Sequence, residues 1–117
     1  MQIQHRMVGE IAIIDLKGNF TLREGDELLP DEVKRLIQQG QRRFVLNLAG
    51  VPQLDSVGLS AVVRAYTTTM NRGGNLKLLH LTHRAKELLI ITKLSKVIET
   101  FDSEEDAVRS FQPSAGV

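Results

Sequence analysis

The chain has 117 residues, of which 42% are hydrophobic and 25% charged, the length and composition of one soluble globular domain. Its 15 basic and 14 acidic residues nearly cancel, and without a long basic run to neutralise phosphates we expect no direct nucleic acid binding. The absence of cysteine excludes disulfides, thiolate metal sites and a cysteine nucleophile. The sequence has neither an apolar signal region nor the roughly 18 apolar residues of a membrane span, so we expect a cytoplasmic protein without membrane insertion.

The first forty residues predict two strands followed by a helix. An apolar run from Ile11 to Leu16 follows a turn at Val8-Gly9, and this arrangement predicts a strand on each side of the turn. Apolar residues then recur at helical spacing at Leu28, Leu29, Val33, Leu36 and Ile37. Because Pro30 is tolerated only in a first turn, we expect the helix to begin near Leu29 or, with a distortion, a few residues earlier, and to be closed by Gly40.

The central part of the chain predicts a buried strand and a long helix. Arg43 to Leu48 has the apolar character of the strand, and Ser56 to Asn71 has the periodicity of the helix. The apolar face of this helix is expected to consist of Leu59, Val62, Val63, Tyr66 and Met70. The sequence Asn71-Arg72-Gly73-Gly74-Asn75 lacks the spacing of a phosphate-binding loop, and we interpret it as a helix C-cap and turn.

The last forty residues predict two more strands and two more helices. Asn75 to Leu81 forms the fourth strand, and Thr82 can cap the helix that follows it. Lys96 to Phe101 alternates like a short final strand. Ser103 then begins a capping box that opens a last helix through Ala107, Val108 and Phe111.

Strands that alternate with helices predict right-handed crossovers and a mixed, mostly parallel sheet of the α/β class. The amphipathic helices must pack on that sheet with one side left in water. We expect one domain over residues 1–112 and a flexible C-terminal tail over residues 113–117.

Chemistry is expected at the connection Leu54–Leu59, because ligands and partners of such sheets meet the carboxyl ends of the strands. Asp55 and Ser56 are both good N-cap residues, and Gly58 permits a close approach to the backbone. Local chemistry alone favours a plain helix cap. The alternative is a phosphorylation site, since a phosphate on Ser56 would add about −1.5 to −2 charges and oppose binding at that surface.

These features resemble the STAS domain of bacterial anti-sigma factor antagonists. The resemblance is carried by Phe44–Leu48, by Leu54-Asp55-Ser56-Val57-Gly58-Leu59 and by Gly73-Gly74 before a strand, and it extends from about Ile3 to Phe111. It implies a sheet of four or five strands with helices packed largely on one side.

The resemblance also implies a function for Ser56, which matches the phosphorylated serine of that family. The unphosphorylated form would bind an anti-sigma factor that is also a serine kinase, and so regulate sigma-factor-dependent transcription. Phosphorylation would release the partner, and a phosphatase of the PP2C type would reverse the modification.

Two positions depart from the family pattern. Val57 stands where a small or hydroxyl residue is usual, which leaves Ser56 as the acceptor, and Thr21 stands where a loop aspartate often lies beside the partner. Ser60 and Arg64 follow Ser56 along one side of the helix, either as a solvated face or as an extension of the partner surface. The residues expected at the partner surface are Thr21, Asp55, Ser56, Val57, Gly58, Ser60 and Arg64.

Other function classes have less support in the sequence. His5, His80 and His83 show no ligand or triad spacing, so we expect no catalytic residues, no metal and no cofactor. Two alternatives stay open. One is a non-phosphorylated STAS subunit of a signalling or lipid-transport complex, and the other is a module that binds a nucleotide or another small ligand.

Overall fold

The computed structural model describes residues 1–19 and 27–111. Within these ranges the strands are β1 (Gln2–Val8), β2 (Ile11–Lys17), β3 (Arg43–Gly50), β4 (Asn75–Leu79) and β5 (Thr100–Phe101). The helices are α1 (Leu28–Gln38), α2 (Ser56–Asn71), α3 (His83–Ile91) and α4 (Glu104–Arg109), and a 3₁₀ helix spans Leu94–Lys96. The predicted alternation of strands and helices is confirmed.

The described strands form one five-stranded sheet in the order β1-β2-β3-β4-β5. Strands β1 and β2 pair antiparallel through a tight turn, in which Gly9 has a φ of 60° that favours glycine. Strands β2 to β5 are parallel to one another, so their carboxyl ends lie at the same edge of the sheet. The predicted mixed, mostly parallel sheet is confirmed.

Helices α1, α2 and α3 cover one face of the sheet, and α4 covers the other. Side chains alternate across a strand, so neighbouring strand residues contribute to two separate cores. The larger core contains the strand residues Ala12, Ile14, Leu16, Phe44, Leu46, Leu48, Leu76 and Leu78. The smaller core, under α4, contains Ile11, Ile13, Val45, Leu79 and Ala107. The predicted packing of helices largely on one side is confirmed, with α4 as the exception.

A buried lysine holds the end of α4 against the smaller core. Lys77, on β4, is 4% exposed, and its Nζ donates to Ser110 Oγ at 2.7 Å and to the Ser110 carbonyl oxygen at 3.2 Å. The same ammonium group lies 4.3 Å from the centre of the Phe111 ring and 3.7 Å from a carboxylate oxygen of Glu99. Hydrogen bonds and a cation–π contact therefore compensate the burial of this charge.

The predicted helix caps are confirmed. Thr82 Oγ1 accepts a hydrogen bond from the Ala85 amide at 3.2 Å, and Ser103 Oγ accepts one from the Asp106 amide at 3.3 Å. Gly40, just beyond α1, has the left-handed φ of 99° that a C-terminal glycine supplies.

The turn between α2 and β4 requires glycine at two consecutive positions for different reasons. Gly73 has a φ of 80°, and a Cβ added there would meet nothing within 4 Å. A Cβ added at Gly74 would overlap the carbonyl oxygen of Arg42 and would lie 3.0 Å from Cγ2 of Thr69. That Arg42 oxygen accepts the Asn75 amide at 2.9 Å at the start of the β3–β4 pairing, so the close approach is part of the sheet.

The prediction of a final strand from Lys96 to Phe101 is wrong over most of its length, because only Thr100 and Phe101 form β5. The amides of Val97 and Ile98 both donate to the Leu94 carbonyl oxygen at 2.9 Å, so neither is available to pair with β4.

The fourth strand and the last helix are also shorter than predicted. Strand β4 ends at Leu79 rather than Leu81, because His80 has a φ of 59° that interrupts the extended backbone. Helix α4 ends at Arg109, so Phe111 lies beyond it.

The buried face of α2 also differs from the prediction at one position. Met70, predicted to be buried, is 42% exposed, whereas Thr69 is completely buried. The Thr69 hydroxyl donates to the Ala65 carbonyl oxygen at 2.8 Å, which satisfies its polar group within the helix. Thr69 also accepts the Gly74 amide through its carbonyl oxygen, so the turn after α2 fixes this residue toward the interior.

Candidate functional site

The first turn of α2 is capped by an aspartate. Asp55 has extended backbone angles, and its Oδ1 accepts hydrogen bonds from the amides of Val57 at 3.0 Å and Gly58 at 2.9 Å. The Asp55 carbonyl oxygen accepts the Leu59 amide at 2.9 Å, which is the first hydrogen bond of the helix. The cap predicted at this position is thus formed by Asp55, and Ser56 becomes the first helical residue.

Ser56 is exposed on a segment that is anchored on both sides. Val51 before it and Leu59 after it are buried in the larger core, and Leu54 packs against that core. Within the described part of the chain, the Ser56 hydroxyl forms no hydrogen bond with another residue. The structure therefore presents a serine hydroxyl to solvent from a fixed backbone at the carboxyl end of β3.

The structure places most of the predicted site residues on one side of α2. Asp55, Ser60 and Arg64 are exposed like Ser56, and Val57 is half-buried. At about 1.5 Å rise per residue, Ser60 lies roughly 6 Å and Arg64 roughly 12 Å along the axis from Ser56. Gly58 is buried, so it lies beneath this surface and contributes to it through the backbone of the first turn.

Thr21, the remaining residue predicted at the partner surface, lies outside the described residues.

A polar cluster that was not predicted joins β1, β2, β3 and α4 on the face of the sheet that α4 covers. Arg6 donates through Nε to Asp15 at 2.8 Å and through Nη1 to Glu104 at 3.1 Å. Asn47 donates to the other Asp15 oxygen at 2.8 Å. No local pattern could have revealed this cluster, because Arg6 and Glu104 are separated by 98 positions in the sequence.

This cluster shifts the ionisation of its carboxylates. Burial raises the pKa of Asp15, but the hydrogen bonds from Arg6 and Asn47 outweigh burial and leave that pKa below its ordinary value. The pKa of Glu104 is also lowered, chiefly by its hydrogen bond with Arg6. Both carboxylates are therefore stabilised in the charged form, which suits a tether for α4 rather than an acid or base in catalysis.

His5 and His83 each lie beside a different glutamate. His5 Nδ1 lies 3.5 Å from Glu32, and His83 Nε2 lies 2.9 Å from Glu87 on the same helix. Across residues 1–19 and 27–111, no three His, Cys, Asp or Glu side chains come together as a metal-ligand group. In the same ranges, none of the helices is both long and apolar enough to span a bilayer.

Comparison with known families assigns the fold. The sequence profile of the STAS domain matches residues 2–107, almost the whole of the described structure. The chain belongs to the STAS-domain family. The five-stranded mixed sheet is thus that of a STAS domain, as the resemblance in the sequence implied.

Individual relatives agree with this assignment. A Thermotoga neapolitana protein, named as a candidate anti-sigma factor antagonist, is 25% identical over 76 residues, or 65% of this chain and 67% of that protein. A crystal structure of a candidate anti-sigma factor antagonist from Thermotoga maritima has a TM-score of 0.81, with 19% identity and 92% of each chain covered.

The anti-sigma factor antagonist SpoIIAA is similar in two states. The structure of this Bacillus cell-fate determinant in its phosphorylated form has a TM-score of 0.74 and 20% identity, covering 95% of this chain and all of SpoIIAA. Its unphosphorylated form has a TM-score of 0.69 and 20% identity, covering 93% of this chain and 96% of SpoIIAA. At these identities the structural similarity establishes the common fold.

Proposed function

We propose that this STAS domain is an anti-sigma factor antagonist controlled by phosphorylation of Ser56. In its unphosphorylated form it binds an anti-sigma factor that is also a serine kinase, which frees a sigma factor for transcription. Phosphorylation ends the binding, and a PP2C-type phosphatase restores it. The observation that carries the proposal is the exposed Ser56 hydroxyl at the start of a helix whose cap is already provided by Asp55.

The cap determines where a phosphate on Ser56 would lie. The amides of Val57 and Gly58 are two of the donors that a helix start offers to an anion, and Asp55 occupies both. A phosphate would have to displace a carboxylate to reach them, and it would be repelled by the same carboxylate. The phosphate therefore stays directed toward solvent, and the helix keeps its first turn.

An outward phosphate would act on the partner instead of on the fold. It would bring about −1.5 to −2 charges onto the surface formed by Asp55, Val57, Ser60 and Arg64. In a complex that surface is desolvated, and a dianion without a matching cation costs several kcal/mol there. A penalty of this size exceeds the roughly 1.4 kcal/mol that changes affinity tenfold, so modification abolishes binding at ordinary concentrations.

The proposal places the protein in the cytoplasm, where a kinase and a sigma factor would meet it. Its similarity to SpoIIAA in phosphorylated and unphosphorylated forms supports the switch, as does the resemblance of the Asp55-Ser56 motif to the family pattern.

The direct test uses purified anti-sigma factor kinases of the source organism, each incubated with the chain and ATP. We expect mass spectrometry to find phosphate on Ser56 for the cognate kinase, and none on Ser56→Ala. We also expect Ser56→Asp to weaken binding of that kinase at least about tenfold. Ser95→Asp is the matched control, since Ser95 is exposed on the 3₁₀ helix and is not one of the residues of the proposed surface.

Two results would contradict the proposal. One is phosphate incorporation on a different residue with Ser56 unmodified, and the other is equal affinity of the kinase for wild type and Ser56→Asp. Thermal unfolding separates loss of binding from loss of fold. Because the helix dipole and Asp55 act in opposite directions on the new charge, we expect the Tm of Ser56→Asp to stay within about 2 °C of wild type.

A further inference from the structure

A group of positively charged side chains lies at the other end of α2 from Ser56. The helix has 16 residues, which places its last residue about 22 Å from Ser56 along the axis. Here the C-terminal ends of α1 and α2 form a cleft of about 300 Å³, which we name the basic cleft. Its lining residues are Lys34, Ile37, Gln38, Arg42, Thr68 and Arg72.

Among the described residues, the lining of the basic cleft has three cations and no acidic side chain. Neither Lys34 nor Arg72 forms an ion pair with a carboxylate in the described part of the chain. Arg42 is held in place, because its Nη1 donates to the carbonyl oxygens of Ile37 at 2.9 Å and Gln41 at 2.8 Å. Its guanidinium is thus fixed by the backbone, with further N–H groups left for a ligand.

The negative C-terminal ends of the two helices offset only part of the positive charge of these side chains. The C-terminal end of a helix is equivalent to roughly −0.5 charge, and the ends of α1 and α2 both lie at the cleft. Three unit positive charges against these two ends leave a net charge of about +2. The neighbouring Arg43 does not alter this balance, since it pairs with Glu10 at 2.7 Å.

We propose that the basic cleft binds a phosphate-type dianion, either inorganic phosphate or a small phosphomonoester. The net charge of the cleft matches a dianion, and guanidinium groups with a lysine and a hydroxyl are the usual donors to phosphate oxygens. The volume is at the lower end of the range for ligand pockets, so the cleft has room for the phosphate group and a small ester substituent. This site is separate from Ser56 and does not depend on the switch.

The experiment is a titration of the ¹⁵N-labelled full chain at pH 8 with inorganic phosphate, followed by amide chemical shifts. We expect saturable shifts at the ends of α1 and α2, around Gln38 and Arg72. Sulfate should compete, whereas sodium chloride at equal ionic strength should not. A parallel titration with glycerol 3-phosphate distinguishes the two candidate ligands. If glycerol 3-phosphate binds more tightly than inorganic phosphate, the ligand is a phosphomonoester; if it binds more weakly, the ligand is the free ion.

The variants Lys34→Gln and Arg72→Gln each remove one cation that has no ion pair with another described residue. Each should weaken phosphate about threefold to fivefold, the effect of losing an exposed charge interaction of up to about 1 kcal/mol. Lys96→Gln is the matched control, because Lys96 is an exposed lysine on the 3₁₀ helix, and it should change affinity less than twofold. Chemical shifts that do not saturate would overturn the proposal, as would a loss of affinity in Lys96→Gln equal to that in Lys34→Gln and Arg72→Gln. Tm values equal to that of wild type establish that the variants are folded.

Discussion

Replacing Gly74 by alanine should destabilise the domain more than the same replacement at Gly73. A Cβ at position 74 overlaps the carbonyl oxygen of Arg42, and that oxygen also accepts the Asn75 amide. Relief of the overlap requires β3 and the turn to separate, which weakens a hydrogen bond worth about 0.5–1.5 kcal/mol. Local overpacking adds about 1–3 kcal/mol, so the expected loss for Gly74→Ala is roughly 2–4 kcal/mol.

Gly73→Ala is the matched control, because it adds the same methyl group one residue earlier. Its φ of 80° costs an L-residue about 1–2 kcal/mol, but the new Cβ would meet no atom within 4 Å. For a chain of 117 residues, 1 kcal/mol corresponds to about 4 °C in Tm. Thermal unfolding followed by circular dichroism should therefore show a drop of about 8–16 °C for Gly74→Ala and about 4–8 °C for Gly73→Ala. An equal or reversed order would refute the steric reasoning.

Three further changes test other parts of the structure. Asp55→Ala removes the acceptor of two amides and should lower the free energy of unfolding by about 1–2 kcal/mol in a urea titration; an unchanged midpoint would contradict the cap. Lys77→Met keeps the volume of the side chain and its contact with an aromatic ring, so we expect a change below about 1 kcal/mol, and a loss above twice that value would show that the buried charge is needed. Asp15 and Glu104 have lowered pKa values when folded, so their contribution is complete above about pH 5 and is lost as the pH falls through the folded values. Between pH 7 and pH 3 the Tm of Arg6→Gln should then fall less than that of wild type, and parallel curves would exclude this linkage.

Local chemistry was sufficient to predict the ends of several elements. The side-chain oxygens of Thr82 and Ser103 accept amides three residues later, and Gly40 takes a left-handed conformation. In each case the interacting groups are within a few positions of one another, so the sequence contains the whole interaction. The placement of Ser56 at the start of α2 was predictable for the same reason.

Features that depend on distant contacts were not predictable. The final strand looked longer because alternation alone does not show that the amides of Val97 and Ile98 bond to Leu94. The burial of Thr69 in place of Met70 depends on where α2 lies against the sheet and on the turn at Gly74. The basic cleft likewise brings together residues from the ends of α1 and α2 and from the connection between α1 and β3, and no motif in any one of these segments indicates it.

The cap at Asp55 has a consequence for how the two proposed forms of the domain could be told apart. Because the amides of Val57 and Gly58 at the start of α2 are already bound to Asp55, a phosphate on Ser56 would leave the first turn of the helix unchanged. Small-angle scattering and far-ultraviolet circular dichroism would then give nearly the same curves for both forms, whereas isoelectric focusing would separate them. Any molecule that distinguishes the two forms would then have to recognise the phosphate group on one serine, through its charge and its oxygen atoms, because the rest of the domain keeps its shape.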